Sequence, residues 1–322
     1  LITIGTPWLW TGFAVFVLVA LVVDFIVLKK EGAHRVGLRE AAIWSAIWVA
    51  LSLVFAAVLW WWLTRTMGRD VADTRVVEFL TGYLIEKSLA IDNVFVFLTI
   101  FTYFALPGEF QKRALMIGII AAIVLRAVMI FAGAALIERF DWILYVFGAF
   151  LVLTGIRMWT SVGNESSIDD NPALRMLRRV MRVAPNYDGE RMTTMKDGVR
   201  MATPLLLVVA LIGVTDVIFA VDSIPAIFAI TTDPFIVLTS NIFAVLGLRA
   251  MFFLLADMAD RFHLLPYGLA VILLFVGAKM LAAGVFHIPP LVSLGIILGV
   301  LATTIALSLK LPAKDQPPAR TQ

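Results

Sequence analysis

Two stretches of the sequence set ionisable side chains among apolar ones: EKSLAIDNVFVF from Glu86 and DVIFAVDSIPAI from Asp216. Laid over one another, they match Glu86 with Asp216, Asp92 with Asp222 and Asn93 with Ser223. On an α-helix, residues seven apart nearly eclipse, while residues six apart lie about 240° round the axis. Glu86 therefore shares a face with Asn93, and Asp216 with Ser223; Asp92 and Asp222 lie on the flanks of those faces. If the two helices cross, four carboxylates with amide and hydroxyl oxygens can converge on one cavity. Pro225 adds an oxygen, because it has no N–H to give to the carbonyl of Val221. Inside a membrane that carbonyl needs a partner, which a cation, a water or a helix kink would each provide.

Every one of these ligands is oxygen. Such a set suits hard cations such as Mn²⁺, Mg²⁺ or Ca²⁺ and disfavours Cu⁺ or Zn²⁺. The sequence has no cysteine, and its three histidines, His34, His263 and His287, fall at predicted helix ends or connections, so thiolate and zinc chemistry are not expected. Each charge near mid-bilayer costs on the order of 2.5 to 3.5 kcal/mol. Two readings follow for the acids: a pathway for a divalent cation that exchanges with protons, or structural ion pairs. Arg126 and Arg249 would hold carboxylates ionised and in position, tune their proton affinity, or replace the cation between them. Intramembrane aspartyl proteolysis lacks its pattern, since Asp92 follows Ile91 and Asp222 follows Val221. A membrane scaffold for soluble partners would not need the buried acids. No enzymatic activity is expected.

Helices in a bilayer must position these residues. Of 322 residues, 61% are hydrophobic and 15% charged, with mean hydropathy +0.96, the composition of a polytopic membrane protein. The apolar runs predict about nine transmembrane helices, near 8–28, 41–63, 76–103, 112–136, 142–160, 203–230, 234–256, 264–285 and 289–310. The first run has no small-residue cleavage site and is read as an uncleaved span.

The two motifs belong to a longer repeat. RAVMIFAG from Arg126 resembles RAMFFLLA from Arg249, and Phe140, Tyr145, Gly155, Arg157 and Met158 match Phe262, Tyr267, Gly277, Lys279 and Met280 at a constant offset of 122. Three spans per copy would make the copies cross in opposite senses, the inverted repeat of many transporters. The expected division is two helices over 1–75, repeat 1 over 76–160, a cytoplasmic loop over 161–202, repeat 2 over 203–285, and a last helix and tail over 286–322.

With the N-terminus outside, eighteen lysines and arginines fall on the inner side, among them Lys29, Lys30, Arg35, Lys112, Arg261, Lys314 and Arg320; four, Arg65, Arg69, Arg75 and Arg139, fall outside. That bias predicts N-terminus out and C-terminus in. It also explains the pI near 9.3 without nucleic-acid binding. In the loop, ALRMLRRVMRV sets an apolar stripe against Arg175, Arg178, Arg179 and Arg182, as a surface helix on anionic lipid would. Asp197 and Gly198 lie between two β-prone runs and predict a hairpin.

Over TGYLIEKSLAIDNVF from Thr81 and TDVIFAVDSIPAIFAITTDPFIVLTSNIFAVLGLRAMFFLL from Thr215, the chain resembles the TerC family of bacterial integral membrane proteins, its Alx type most. The similarity runs from GTPWLWTGFAVF at Gly5 through FDWILYVFGAF at Phe140 to the last span. The resemblance implies an inner-membrane exporter of Mn²⁺ linked to alkaline pH, with Glu86, Asp92, Asp216 and Asp222 as the acids of the metal pathway. Asn93, Ser223 and the Val221 carbonyl would complete the shell. No resident cofactor is implied; Mn²⁺ is cargo, protons the counter-ion, and the lipid bilayer the surroundings. The family is also linked to tellurite resistance and to metal loading of secreted enzymes, which keeps open a membrane component that docks partner proteins. One departure stands out: the family has a glutamate three residues before the first aspartate of the second motif, and here that residue is Gly213.

Overall fold

A computed structural model describes residues 3–31, 37–140, 142–161, 168, 171–196, 198–256, 262–286 and 288–311, without the side chains of 27–31 and 196. His34, His287, Asp197, Arg35, Arg261, Lys314 and Arg320 thus lie outside the described residues, as do the side chains of Lys29 and Lys30. The order is α1 (Pro7–Glu31), α2 (Leu38–Thr66), α3 (Arg69–Tyr103), α4 (Gly108–Arg139), α5 (Ile143–Ser161), α6 (Pro172–Val180), β1 (Thr193–Lys196), β2 (Val199–Ala202), α7 (Pro204–Phe228), α8 (Pro234–Leu246), α9 (Leu248–Ala256), α10 (Leu265–Leu281) and α11 (Pro290–Lys310).

Proline stands in the first turn of α6, α7, α8, α10 and α11, where its missing N–H has no helical partner to lose. Asp233 caps α8 through the Phe235 N–H and also accepts from the Ile4 N–H and the Thr3 hydroxyl, so it ties the chain before α1 to the start of α8. β1 and β2 pair antiparallel with Lys196 opposite Val199, and Gly198 takes φ +75° in the turn, a conformation glycine enters without strain.

Among the described residues six helices are long and apolar enough to cross a membrane: α1 over Pro7–Ile26, α2, α4, α5, α7 and α11. The pair α8 and α9, bent by 43°, makes a seventh if counted as one span. The remaining expected spans, 76–103 and 264–285, fall on α3, whose apolar half carries Glu86, Lys87 and Asp92, and on α10, with 17 residues. Charge in one and shortness in the other keep both below that standard. Leu153, Val128 and Leu18 are more than 60% exposed on the outside of the bundle, as suits a chain solvated by lipid.

Inside, α3 packs on α7 and α8, α4 on α7, and α5 along α10. The last contact is backbone against backbone. A Cβ built on Gly277 would stand 2.8 Å from the Gly148 carbonyl oxygen, and one on Gly155 would stand 3.0 Å from that of Ala270. Small residues let helices approach this closely in lipid, where dispersion must replace the hydrophobic effect.

Candidate functional site

Two glycines draw the helices together around the first motif. A Cβ on Gly82, one turn before Glu86, would meet the Ser240 hydroxyl oxygen of α8 at 2.9 Å, and one on Gly118 would meet Ile212 of α7 at 2.9 Å. The closeness of α3 to α8 and of α4 to α7 leaves Arg126, on α4, with no exposed surface.

Its guanidinium is consumed by the two motifs. Nε donates to Asp216 Oδ2 at 3.0 Å and Nη2 to Oδ1 at 2.9 Å, a parallel two-point pairing that fixes orientation as well as charge. Nη1 donates to Glu86 Oε1, with Asn241 Oδ1 of α8 at 3.5 Å. Glu86 and Asp216, matched across the two motifs, thus converge on one cation from α3 and α7. Three buried polar atoms nearby or on the same helices have no hydrogen-bond partner: Glu86 Oε2, Asn241 Nδ2 and Ser223 Oγ. Such atoms are rare in a folded chain and mark a place where another polar group is wanted.

The other two acids are elsewhere. Asp92 is half-buried and has no hydrogen-bond or ion-pair partner among the described residues. Asp222, also half-buried, accepts from the Thr154 hydroxyl of α5 at 3.2 Å, within electrostatic reach of Arg157. Asn93 is buried, and Val221 is 43% exposed. The expectation that four carboxylates meet in one cavity is therefore not met: among the described residues no three His, Cys, Asp or Glu side chains form a metal-holding group. The reason lies in the helical offset. The crossing helices present Glu86 and Asp216 to Arg126, and the six-residue step turns Asp92 and Asp222 toward other neighbours.

Arg249, matched to Arg126 in the second copy, holds neither motif's acids. It pairs with Asp24 of α1. Asp24 is an ion-pair partner that sequence reasoning missed, although its signal was present: a lone carboxylate in the apolar run LVALVVDFIV. Asn241 and Thr154 gave no comparable signal, since single amides and hydroxyls are ordinary in apolar helices. Lys87 donates to the Ala244 carbonyl at 3.4 Å, beside the break at Gly247 between α8 and α9. Around Gly213 nothing stands within 4 Å of a built Cβ, so the position has room for a side chain.

Comparison with known proteins adds three findings. The model of the integral membrane protein TerC family matches residues 71–316. Alx of Escherichia coli (strain K12), described as a candidate membrane-bound redox modulator, is 56% identical over 306 residues, 95% of each chain; Alx of Shigella flexneri is equally identical over 95% of this chain and 96% of its own. A membrane protein of Myxococcus xanthus, uncharacterized by its name, is 47% identical over 307 residues, 95% of this chain and 93% of its own. No solved structure matches the chain.

Proposed function

Because the chain belongs to the TerC family of integral membrane proteins, we propose that it exports a hard divalent cation, Mn²⁺ foremost, across the bacterial inner membrane in exchange for protons. The observation that carries this is the wholly buried arginine shared by Glu86 and Asp216. Two carboxylates on one guanidinium leave a net negative charge, and an acid oxygen of Glu86 is still unpartnered. A divalent ion would satisfy both acids better than one positive charge does, provided Arg126 lets go. Arg126 is then the tethered substitute for the cargo. It prevents the two acids from repelling when no ion lies between them, and it must be displaced for an ion to enter.

In this scheme Asp92 and Asp222 are further ligands along the path, with Asn93, Ser223 and the Val221 carbonyl completing the shell. Proton uptake by Glu86 or Asp216 releases the ion, since a neutral carboxyl group binds it poorly. Arg249, the counterpart of Arg126 in the second copy, is held instead by Asp24 of α1, outside both copies.

The packing supports a nine-span inverted repeat. If α3, α4 and α5 correspond to α7, α8 with α9, and α10, then exchanging the copies turns the α3 contact with α8 into the α4 contact with α7, and both occur. The same exchange, at the offset of 122, turns the approach of Gly148 to Gly277 into that of Gly155 to Ala270, and both occur as well. The N-terminus is then outside and the C-terminus inside, by the positive-inside bias. A redox role of the kind the relatives' description gives would here proceed without thiols, as the sequence holds no cysteine.

The test is cellular manganese after a Mn²⁺ load in a host without its own exporters. The chain should lower it; Asp92→Asn, Asp222→Asn and Asp216→Asn should each restore most of the load, roughly a tenfold loss of export, with the protein still inserted. Gly213→Glu, for which there is room, should export at least as well as the chain itself. Unchanged export by all three aspartate variants would remove the assignment.

A further inference from the structure

A cavity of about 10 Å³, room for about one water molecule, lies against Asp216. Among the described residues Asp216 is its one polar lining residue; Phe97 of α3, Leu115 and Gly118 of α4, Ile212 of α7 and Leu248 of α9 close most of the rest. These residues all lie toward one end of the bundle. Tyr103 and Phe104 at the end of α3 and Pro204 and Leu207 at the start of α7 line a common cavity there, so α3 and α7 run antiparallel. Ile212 therefore stands between Asp216 and that end, whereas Gly82 lies beyond Glu86 on the opposite side.

We propose that two helix contacts are the gates of the Arg126 site, Ile212 on Gly118 toward that end and Gly82 on Ser240 toward the other; the inference rests on the export reading. A Cβ on Gly118 would stand 2.9 Å from Ile212 Cγ2, and one on Gly82 would stand 2.9 Å from the Ser240 hydroxyl oxygen and 3.3 Å from Ile227 of α7. Gly82 precedes Glu86 by four residues and Ile212 precedes Asp216 by four, so each acid has a close contact one turn along its own helix. Because the two helices are antiparallel, the contacts fall on opposite sides of Arg126. They also exchange under the repeat. The match that sets Glu86 on Asp216 sets Gly82 on Ile212, and the match that sets Arg126 on Arg249 sets Gly118 on Asn241, next to Ser240.

An apolar constriction this narrow does not pass a hydrated divalent ion, so the cavity beside Asp216 admits one only when α7 draws back from α4. From the other end, Glu86 is reached only when α3 parts from α8. Contacts made at glycine suit such movement, since little side chain interlocks there and packed helices slide past one another by small shifts. With one contact closed while the other parts, an ion moves from one side to the site and then to the far side, and the two ends never communicate.

The experiment uses disulfide staples, for which a chain without cysteine is a clean background. A Cβ on Gly118 lies 3.8 Å from that of Ile212, and one on Gly82 lies 3.3 Å from that of Ser240, against a mean of about 3.8 Å in disulfides. Gly118→Cys with Ile212→Cys, and separately Gly82→Cys with Ser240→Cys, are oxidised with copper phenanthroline in proteoliposomes of the full chain. Each staple should slow Mn²⁺ flux roughly tenfold, and dithiothreitol should restore it. Mn²⁺ binding to the stapled protein in detergent, read by electron paramagnetic resonance, should stay within about threefold of the unstapled chain, because the other gate still opens. Flux that persists through a complete staple overturns the gate at that contact. So does loss of binding together with flux, which would make the contact part of the packing of the site. Where a pair does not insert, Ala122→Cys alone, on the cavity wall, gives the second measurement: Ile212→Ala should speed its reaction with a hydrophilic maleimide, and an unchanged rate overturns the gate at Ile212. An unstapled chain that neither binds nor moves Mn²⁺ removes the export reading itself, and the gates with it.

Discussion

Arg126 has no exposed surface and two carboxylates on its guanidinium, so its removal strands two negative charges in the membrane interior. Breaking a buried pair by deleting one partner typically costs about 3 to 5 kcal/mol. Arg126→Ala should therefore lower the thermal unfolding midpoint of the purified protein by many degrees. Combining it with Glu86→Gln and Asp216→Asn should recover most of the loss, because nothing charged is then left unpaired. Arg126→Lys tests the geometry: lysine keeps the charge but cannot reproduce the two-point contact with Asp216, and should fall between. Recovery absent in the triple variant would mean that Arg126 acts through shape and not through charge. At this scale the sequence was legible for types and faces: the match of Glu86 with Asp216 and the cost of burying them were both visible in it. The pairings were not. Spacing along a helix says which side chains share a face, whereas which neighbour meets that face depends on packing that no local pattern encodes. Arg249 found Asp24 of α1, a residue 225 positions away.

Element boundaries were easier, because runs of apolar residues, prolines at helix starts and the Asp-Gly turn signal are local. The two elements below the length and charge standard, α3 and α10, fall short because three ionisable residues stand in the apolar half of one and the other has only 17 residues. The glycines carry a signal that hydropathy misses. Gly148, Gly155 and Gly277 read as ordinary members of apolar runs, yet they set the distance between α5 and α10. Gly277→Val would bring new carbon within 2.9 Å of backbone atoms at Gly148 and Val152, and no side-chain rotation relieves a backbone contact. Overpacking of this kind costs about 1 to 3 kcal/mol, or more where backbone must move. Gly299→Ala on α11, where nothing lies within 4 Å, should be neutral or gain about 0.5 to 1 kcal/mol from helix propensity. Paired thermal melts of the two variants check the contrast. Equal effects would show that α5 and α10 do not depend on contact at glycine.

For the molecule as a whole, the number of spans decides what the repeat can do, since only an odd number of spans per copy inverts it. Because the sequence has no cysteine, single introduced cysteines give a clean background for a membrane-impermeant maleimide in intact cells. Three exposed or half-exposed positions suffice: Thr6 before α1, Asn186 after α6 and Val285 between α10 and α11. If α3 and α10 both cross, as the nine-span arrangement requires, five spans precede Asn186 and eight precede Val285. Thr6→Cys and Val285→Cys should then label from outside while Asn186→Cys should label only after permeabilisation. With α3 and α10 lying outside the count and the bent pair α8 and α9 crossing once, four and six spans precede the two positions, and all three would share one side. With α8 and α9 re-entrant as well, Val285→Cys alone would be opposite the other two. Three labels thus separate three topologies. The first pattern is the one expected, because it alone lets Glu86 and Asp216 reach Arg126 from helices running in opposite senses, the relation that would let one site face each side of the membrane in turn.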